Sequence, residues 1–478
     1  MTPETRRSGD LPRGISGAGQ RNPAGRVRAI LGDLFPVAAE APAPARGTRA
    51  LRAVAQVAAV GIAVVLLLLR IPGLPSWDTI YAEDYWEFFT QALQQPWHLF
   101  ITYNGYWQFL PRLIAQFVLY LPLADVSRAF AVIGAFVAAC CALFIFHASA
   151  GHTRSVKLRV LLALALVLLS AAPMEIIDSG VNTPWYLLPV LFWAALWRPR
   201  TRTGMAVAAV AAFVAAASNI LAVPFAPLLA ARLYVLRRPR EHAVTLGWLA
   251  GCLAQVPFVI SGARGGDSRL GTHATPGQSL AFYGHDVLLP SLGWHLSWWL
   301  RSFAGINGAT MIVAAALAVV FGVILVTQPR ARVFVVTALV LGFIDVVVGS
   351  TLNGSLVSGP LLPAEQPGNR YTVLPIFLIV SAMIVGADCA LRRRRSGAAN
   401  SRPGIGLKPA MVATALVAVL AATWAADFRY AGWRSGWSWN WAPIAARWEH
   451  DCAVSASGQI TEKAGAVFRT LPCDHIRA

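Results

Sequence analysis

Apolar runs of about 17 to 25 residues, long enough to cross a bilayer, recur along most of this chain. They predict helices at 51–70, 126–147, 158–173, 184–197, 204–218, 219–236, 243–261, 304–327, 332–350, 372–391 and 408–425. That pattern describes an all-α, polytopic transmembrane bundle of eleven spans over 51–425. The stretch before it, 1–50, is rich in Arg, Pro, Gly and Ala and predicts a disordered basic tail. The stretch after it, 426–478, is a small Trp-rich tail. The first run lacks the short basic start and cleavage site of a signal peptide, so it is expected to stay as an anchor. Asn219, Pro224 and Pro227 interrupt the run 205–236 and favour two short helices over one.

Composition agrees with a membrane protein. Soluble domains carry about 25% charged residues. This chain carries 13% and is 56% hydrophobic. Its net charge of +18 raises the question of nucleic acid. The distribution answers it: every second connection is basic, in "HTRSVKLR", "WRPRTRTG", "RRPREH", "QPRAR" and "RRRRSG", and the N-terminal tail is basic too. Most of the Lys and Arg therefore lie on one side, as the positive-inside rule requires, with the N-terminus inside and the C-terminus outside. No nucleic-acid partner is needed to explain the charge. Four outer segments follow: loop one, 71–125; loop two, 174–183; loop four, 262–303; loop five, 351–371. The Trp-rich tail is outside as well.

Cys140, Cys141, Cys252 and Cys389 fall in predicted helices and read as small apolar fillers. Cys452 and Cys473 fall in the outer tail, where oxidation is permitted, and predict a disulfide. The inner connections are short and basic. GxxxxGK[ST] and a GxGxxG following a strand are absent, which argues against direct use of cytoplasmic nucleotides. HExxH, paired CxxC and GxSxG are absent too, so no built-in metal site is assigned. Chemistry, if present, is external.

Loop one is the most informative segment. It opens with "YAEDYWEFF", three carboxylates among five aromatic rings. Ala82 to Leu93 fits a helix whose Tyr85, Phe88, Phe89, Ala92 and Leu93 share one face. At helical phase Glu83 lies opposite that face, Glu87 on its polar flank and Asp84 at its margin. A carboxylate at the edge of a buried face gains proton affinity and suits a general base, which ranks Asp84 first and Glu83 second. The bland reading has these acids complementing a helix dipole. Downstream, "TYNGYWQFLPRLIAQ" sets Tyr103, Tyr106 and Trp107 beside Arg112. Such aromatics suit the membrane interface, and they also stack on the apolar faces of sugars. Arg112 opposes the charge trend of the outer side. It either holds an anion, Asp84 or a lipid phosphate, or snorkels to a headgroup.

In "MEIIDSGVNTPWY", Glu175, Asp178, Asn182 and Trp185 form a second outer cluster, open to substrate contact or simple turn chemistry. Asp345 is an ionisable group inside an apolar helix: a functional residue, or one reaching the headgroups. His98, His273, His285 and His295 are outside and lack paired ligand spacing. Arg301 is expected to anchor the interfacial lead-in "GWHLSWWLRSF". The five Trp of "WRSGWSWNWAPIAARW" predict a belt against the outer membrane surface, or a carbohydrate platform.

A loop-one acid after the first span, an amphipathic interfacial helix and many spans resemble the GT-C glycosyltransferase superfamily. More narrowly, "AEDYWEFF", "YNGYWQFLPR" and "VNTPWYLLP" resemble bacterial GT-C-like proteins with ED, YxGYxxxLPR and N-x-x-W elements. The resemblance implies glycosyl transfer at the outer side of the cytoplasmic (inner) membrane of a bacterium. The implied donor is a polyprenyl-phosphate-linked sugar, and the acceptor a glycan, lipid or protein of the envelope. It implies inverting displacement with Asp84, and Glu83 beside it, as the loop-one base. Arg112 and Arg370, the latter in "PGNRYTVLP", are the implied cations for the departing lipid phosphate. Tyr103, Tyr106, Trp107, Asp178, Asn182 and Trp185 are the implied substrate contacts. No cofactor is assigned beyond a loosely held Mg²⁺ or Mn²⁺ that such chemistry could use. The competing readings are a transporter or flippase of a lipid-linked sugar, and a non-catalytic envelope scaffold.

Overall fold

The computed structural model describes residues 23–38, 46–71, 73–95, 99–169, 176–264, 274–352, 370–395, 409–429, 438–464, 467–474 and 476. Its helices are α1 (Pro23–Gly32), α2 (Arg46–Leu68), α3 (Thr90–Gln94), α4 (Phe109–Val118), α5 (Val126–Ala148), α6 (Val156–Leu168), α7 (Thr183–Leu196) and α8 (Arg202–Ser218). They continue with α9 (Ala226–Val235), α10 (Ala243–Arg264), α11 (Pro276–Phe282), α12 (Trp294–Thr327), α13 (Arg332–Leu352), α14 (Val373–Arg395), α15 (Pro409–Ala426) and α16 (Trp441–Val454). The described residues also form three two-stranded antiparallel ribbons: β1 (Thr79–Tyr81) with β4 (Ser438–Asn440), β2 (Thr102–Tyr103) with β3 (Tyr106–Trp107), and β5 (Gln459–Ala464) with β6 (Val467–Pro472).

Among the described residues six helices are long and apolar enough to cross a membrane: Ala50–Leu68, Leu123–Gly151, Pro239–Ser261, Trp294–Thr327, Pro329–Leu352 and Arg370–Arg392. The other five segments of the hydropathy pattern form shorter helices, α6, α7, α8, Ile220–Val235 and α15. The run 205–236 divides as expected. Asn219 is extended, and its Oδ1 accepts from the Leu221 N–H at 3.0 Å to start a 3₁₀ segment, Ile220–Phe225. The interfacial lead-in and the span after it join in α12 at a kink, where Gly305 adopts φ 67°.

Two helices sit at the centre. Every residue of α7 is buried, and α14 is buried almost throughout its membrane-length stretch. A helix apolar all round suits either a protein interior or lipid, and here the other helices cover both. The outer faces of those others still show large apolar side chains such as Val57, Val65, Leu253, Met311 and Val326, a surface suited to lipid. Where α8 and α10 meet, small residues permit the contact. A Cβ on Gly247 would collide with the Ala209 carbonyl oxygen, and one on Gly251 would fall 2.6 Å from that of Phe213. This Gly-x-x-x-Gly pair brings the two backbones together as membrane helix pairs commonly do.

The basic connections meet at one pole. Arg28 donates to the Val235 carbonyl at 2.8 Å, Arg200 to Ala38 at 2.7 Å, and Arg198 pairs with Glu241 at 2.8 Å. Asp388 pairs with Arg392 at 2.8 Å and accepts from the Arg154 and Ser155 N–H groups. The short turn Pro329–Ala331 packs on α14 at the same end.

Two sequence expectations are corrected. Part of the segment expected to be disordered is ordered: α1 lies against α9, where the Tyr234 hydroxyl donates to the Ala24 carbonyl, and Leu34 and Phe35 are buried. Apolar residues in an otherwise polar segment found a surface to cover. Nor do all the Trp of the tail form a surface belt: Trp433 and Trp437 fall outside the described residues, and two others are interior. Trp441 and Trp448 are fully buried in a second hydrophobic core, shared with Tyr85, Phe88, Phe89 and Val118 of loop one. Pairing of β1 with β4 fixes that docking, with Thr79 opposite Asn440 and Tyr81 opposite Ser438. Two short amphipathic segments, each too small to close a core alone, close one together.

The Cys452–Cys473 disulfide is present and ties α16 to the end of the β5–β6 ribbon. It closes a loop with a sequence separation of 21. Chain-entropy arguments put the stabilisation from such a loop at about 3 kcal/mol. Reduction, or Cys473→Ser, is therefore expected to make 438–476 markedly more sensitive to protease while the membrane helices stay protected. Unchanged sensitivity after verified reduction would remove the disulfide from the account of tail stability.

Candidate functional site

The three acids of "YAEDYWEFF" part company in the fold. Asp84–Phe89 is a π-helical segment, marked by the Thr90 N–H donating to the Tyr85 carbonyl five residues back, before α3 continues as an ordinary helix. A wider turn breaks the regular helical phase on which the sequence reading rests. The apolar face is as expected, with Tyr85, Phe88, Phe89, Ala92 and Leu93 all buried. The acids are not where that phase puts them.

Asp84 is 1% exposed and accepts from the Val181 N–H at 2.7 Å, so it fastens loop two to loop one. Glu87 turns to the tail, pairing with Arg469 at 2.9 Å and accepting from the Gln91 amide at 2.6 Å. Burial pushes the Glu87 carboxyl up, against the opposing pull of Arg469 and Arg112. Glu83 is the one that faces functional groups. Its Oε1 pairs with Arg370 at 2.9 Å and lies 3.4 Å from the Tyr103 hydroxyl, while its buried Oε2 has no hydrogen-bond partner among the described residues. Of the two candidate bases, Glu83 faces Arg370 and Tyr103, while Asp84 is turned to the Val181 backbone.

Beside Arg370 the fold assembles a small polar notch from separate segments. Arg370 also donates to Asn182 Oδ1 at 3.3 Å, and Asn182 in turn donates to Ser179 Oγ at 3.1 Å. The "YNGY" hairpin presents Tyr103 and Tyr106. At its tip Asn104 has φ 54° and Gly105 φ 81°. Two consecutive positive φ angles are what a tight two-residue turn needs, and Asn-Gly supplies them readily. Tyr103, Tyr106, Asn182, Trp185, Arg370 and Tyr371 line the notch. It adjoins a cavity of about 140 Å³ bounded by Tyr106, Trp185, Asn219, Leu221, Leu352 and Tyr371. Trp185 and Tyr371 form its aromatic wall, with ring centroids 4.5 Å apart. Burial raises the Tyr106 phenol, so it stays a neutral hydrogen-bonding group.

Three sequence-assigned residues lie elsewhere. Arg112 is 3% exposed; it donates to Gln91 Oε1 at 2.6 Å and sits 4.5 Å over the Phe88 ring. Its anion is not Asp84, and a guanidinium so enclosed is a bracket of loop one rather than a phosphate contact. Trp107 stacks on Phe258 at 5.0 Å and donates its indole N–H to the Leu99 carbonyl, while Gln255 grips its backbone from both sides. Asp178, 2% exposed at φ 53°, lies within electrostatic reach of Arg70 rather than at the notch. Tyr371 and Asn104 are the functional-looking residues that sequence reasoning passed over. Both adjoin assigned residues, in "NRY" and "YNGY".

Asp345 does not reach the headgroups: it is 1% exposed, and neither of its oxygens has a hydrogen-bond partner among the described residues. Arg301 does anchor its segment, donating to the His285 carbonyl at 3.2 Å and lying over the Trp294 ring at 5.7 Å. His285 accompanies Asn307 at 3.0 Å, and His295 hydrogen-bonds Asp427. Glu175, His98 and His273 lie outside the described residues. Among the described residues, those at the notch form no cluster of carboxylate or imidazole ligands for Mg²⁺ or Mn²⁺. A guanidinium already occupies Glu83, and among the described residues no three His, Cys, Asp or Glu side chains gather.

No protein-family model, no curated protein and no solved structure matches this chain. Fold and site define the class of a helical membrane protein, with an aromatic carboxylate–guanidinium site at the pole opposite its basic connections.

Proposed function

We propose that the protein is a membrane glycosyltransferase of the GT-C type, with eleven spans and the basic pole in the cytoplasm. It moves a sugar from a polyprenyl-phosphate donor to an envelope acceptor on the outer side of the membrane. The observation that carries this reading is the Glu83–Arg370 pair, whose arginine lines a small notch that adjoins a cavity with an aromatic wall. In this reading Glu83 is the base, Arg370 the cation and the Trp185–Tyr371 wall the stacking surface, on the side away from the positive connections.

In the proposed reaction Glu83 takes the proton of the acceptor hydroxyl. The acceptor oxygen bonds to the anomeric carbon, and the bond from that carbon to the donor phosphate oxygen breaks with inversion. The electron pair leaves on the polyprenyl phosphate, which Arg370 pairs. Asp84 acts one step back, holding Val181 and hence Asn182 against Arg370. Trp185 and Tyr371 supply the face on which the sugar stacks.

The test is transfer of label from a polyprenyl-phosphate sugar in membranes carrying the full chain, with membranes lacking it as control. Trp185→Ala is expected to raise the donor KM roughly fivefold with a smaller change in kcat, since stacking of this kind contributes about 1 kcal/mol. Absence of any transfer above control across a panel of donor sugars would count against the activity itself. A KM unmoved by the substitution would remove Trp185 from the sugar site.

A further inference from the structure

A large groove lies far from the notch, at the basic pole, between α2, α5 and α6. It has a volume of about 940 Å³. Its wall is made of small residues on all three helices, Ala59 and Ala63, Ala139 and Ala142, and Ala163. Protein interiors pack to crystal-like density, and alanines facing one another across three helices leave a space that side chains do not fill. Along α6 the groove runs from Val156 to Val167. At a rise of about 1.5 Å per residue that is roughly 16 Å, or half of a hydrocarbon core about 30 Å thick, and so the depth of one leaflet.

The rim is cationic and incompletely satisfied. Arg52, Arg154 and Arg159 all border it. Neither Arg52 nor Arg154 forms an ion pair among the described residues, and the nearby Asp388 is engaged by Arg392 and by two backbone N–H groups. Thr153, 0% exposed, lines the groove with a hydroxyl that has no hydrogen-bond partner among the described residues. The Nε of Arg159, whose guanidinium lies 4.6 Å over the Phe146 ring, is likewise without one. Gln56 and His147 meet across the groove at 3.1 Å just inside the rim, adding a polar step below the cations.

We propose that this groove binds an anionic phospholipid of the leaflet at the basic pole. The acyl chains lie on the alanine wall, and the phosphate sits among Arg52, Arg154 and Arg159 with Thr153 donating to it. Basic pockets between membrane helices suit anionic headgroups for this reason: apolar depth alone accepts any lipid, and the charge selects. The site is independent of the outer notch and of the reaction assigned there.

Native mass spectrometry of the detergent-purified full chain tests it, with phosphatidylglycerol and phosphatidylcholine of identical chains as probes. The wild type is expected to retain phosphatidylglycerol at least about tenfold more than phosphatidylcholine, and Arg52→Gln with Arg154→Gln to abolish that preference. Both arginines are exposed, so the fold tolerates the change. Ala142→Leu with Ala163→Leu fills the wall and should lower retention of both lipids. Equal retention of the two lipids by the wild type, or a preference unaltered in the arginine variant, overturns the proposal. If either variant melts early, the wild type decides alone: raising salt from about 50 to 500 mM must reduce the preference, since screening weakens headgroup attraction, and a preference indifferent to salt overturns the proposal too.

Discussion

Replacing Glu83 by glutamine is expected to lower sugar transfer about 10²- to 10⁴-fold, the usual contribution of a general base, with the protein present at wild-type levels. Glutamine has the same shape, and its carbonyl still accepts from Arg370 and Tyr103, so the local hydrogen bonds survive. What it lacks is a place for a proton. Asp84→Ala makes the contrast. It leaves the buried Val181 N–H without its acceptor, which stands 2.7 Å away. An orphaned buried donor costs roughly 1 to 3 kcal/mol, so the loss should show first as lower thermal stability and protein level. Transfer assays at matched protein amounts, paired with thermal unfolding in detergent, separate the two. Wild-type transfer by Glu83→Gln would sink the assignment of the base. Equal loss of stability in both variants would mean that the pair is a structural clasp.

How much of the fold and site is legible in the sequence depends on the range of each interaction. The poles are legible, because the charge of the connections needs only topology, and the structure draws the basic connections together through contacts such as Arg198–Glu241 and those of Asp388 with the Arg154 and Ser155 N–H groups. The apolar face of "YAEDYWEFF" is legible from spacing, and its acids are not. Phase arithmetic assumes an ordinary α-helical turn, and the π-helical segment at Asp84–Phe89 re-aims Asp84 inward and leaves Glu83 toward Arg370. The hairpin of Asn104 and Gly105 carries a strong local signal, an Asn-Gly turn between aromatics, which attention to the aromatics and Arg112 passes over. The role of Arg112 carries no such signal. Its partner Gln91 belongs to the same loop, but choosing between Gln91, Asp84 and a lipid requires knowing which surface is covered. The covering comes from the tail: β4 and α16 lie more than 300 positions further along, and no periodicity reports a contact of that range.

Trp448→Ala is expected to release that tail. Trp448 is 0% exposed, stacks on Phe89 with centroids 6.3 Å apart, and touches Tyr85 at 5.8 Å and Trp441 at 5.6 Å. Deleting a fully buried indole from a small core typically costs about 3 to 5 kcal/mol. A unit of this size has little stability to spare, so the loss should expose 438–476 to protease even with the disulfide intact. Trp448→Phe is the discriminating partner. The indole N–H has no hydrogen-bond acceptor among the described residues, so phenylalanine sacrifices volume but no polar contact, and most of the resistance should return. The consequence reaches the site, because Tyr85 and Phe89 belong to the same six-residue π segment as Asp84, next to Glu83. Tyr85 is also held by its 2.7 Å hydrogen bond to Glu462, a carboxylate that Arg447 clamps from the tail. Loosening those anchors frees the segment that aims Glu83, and transfer should fall in step with protease sensitivity across the two variants. If Trp448→Ala becomes protease-sensitive yet transfers sugar at the wild-type rate, the tail is a cover for loop one and not a support for its carboxylate.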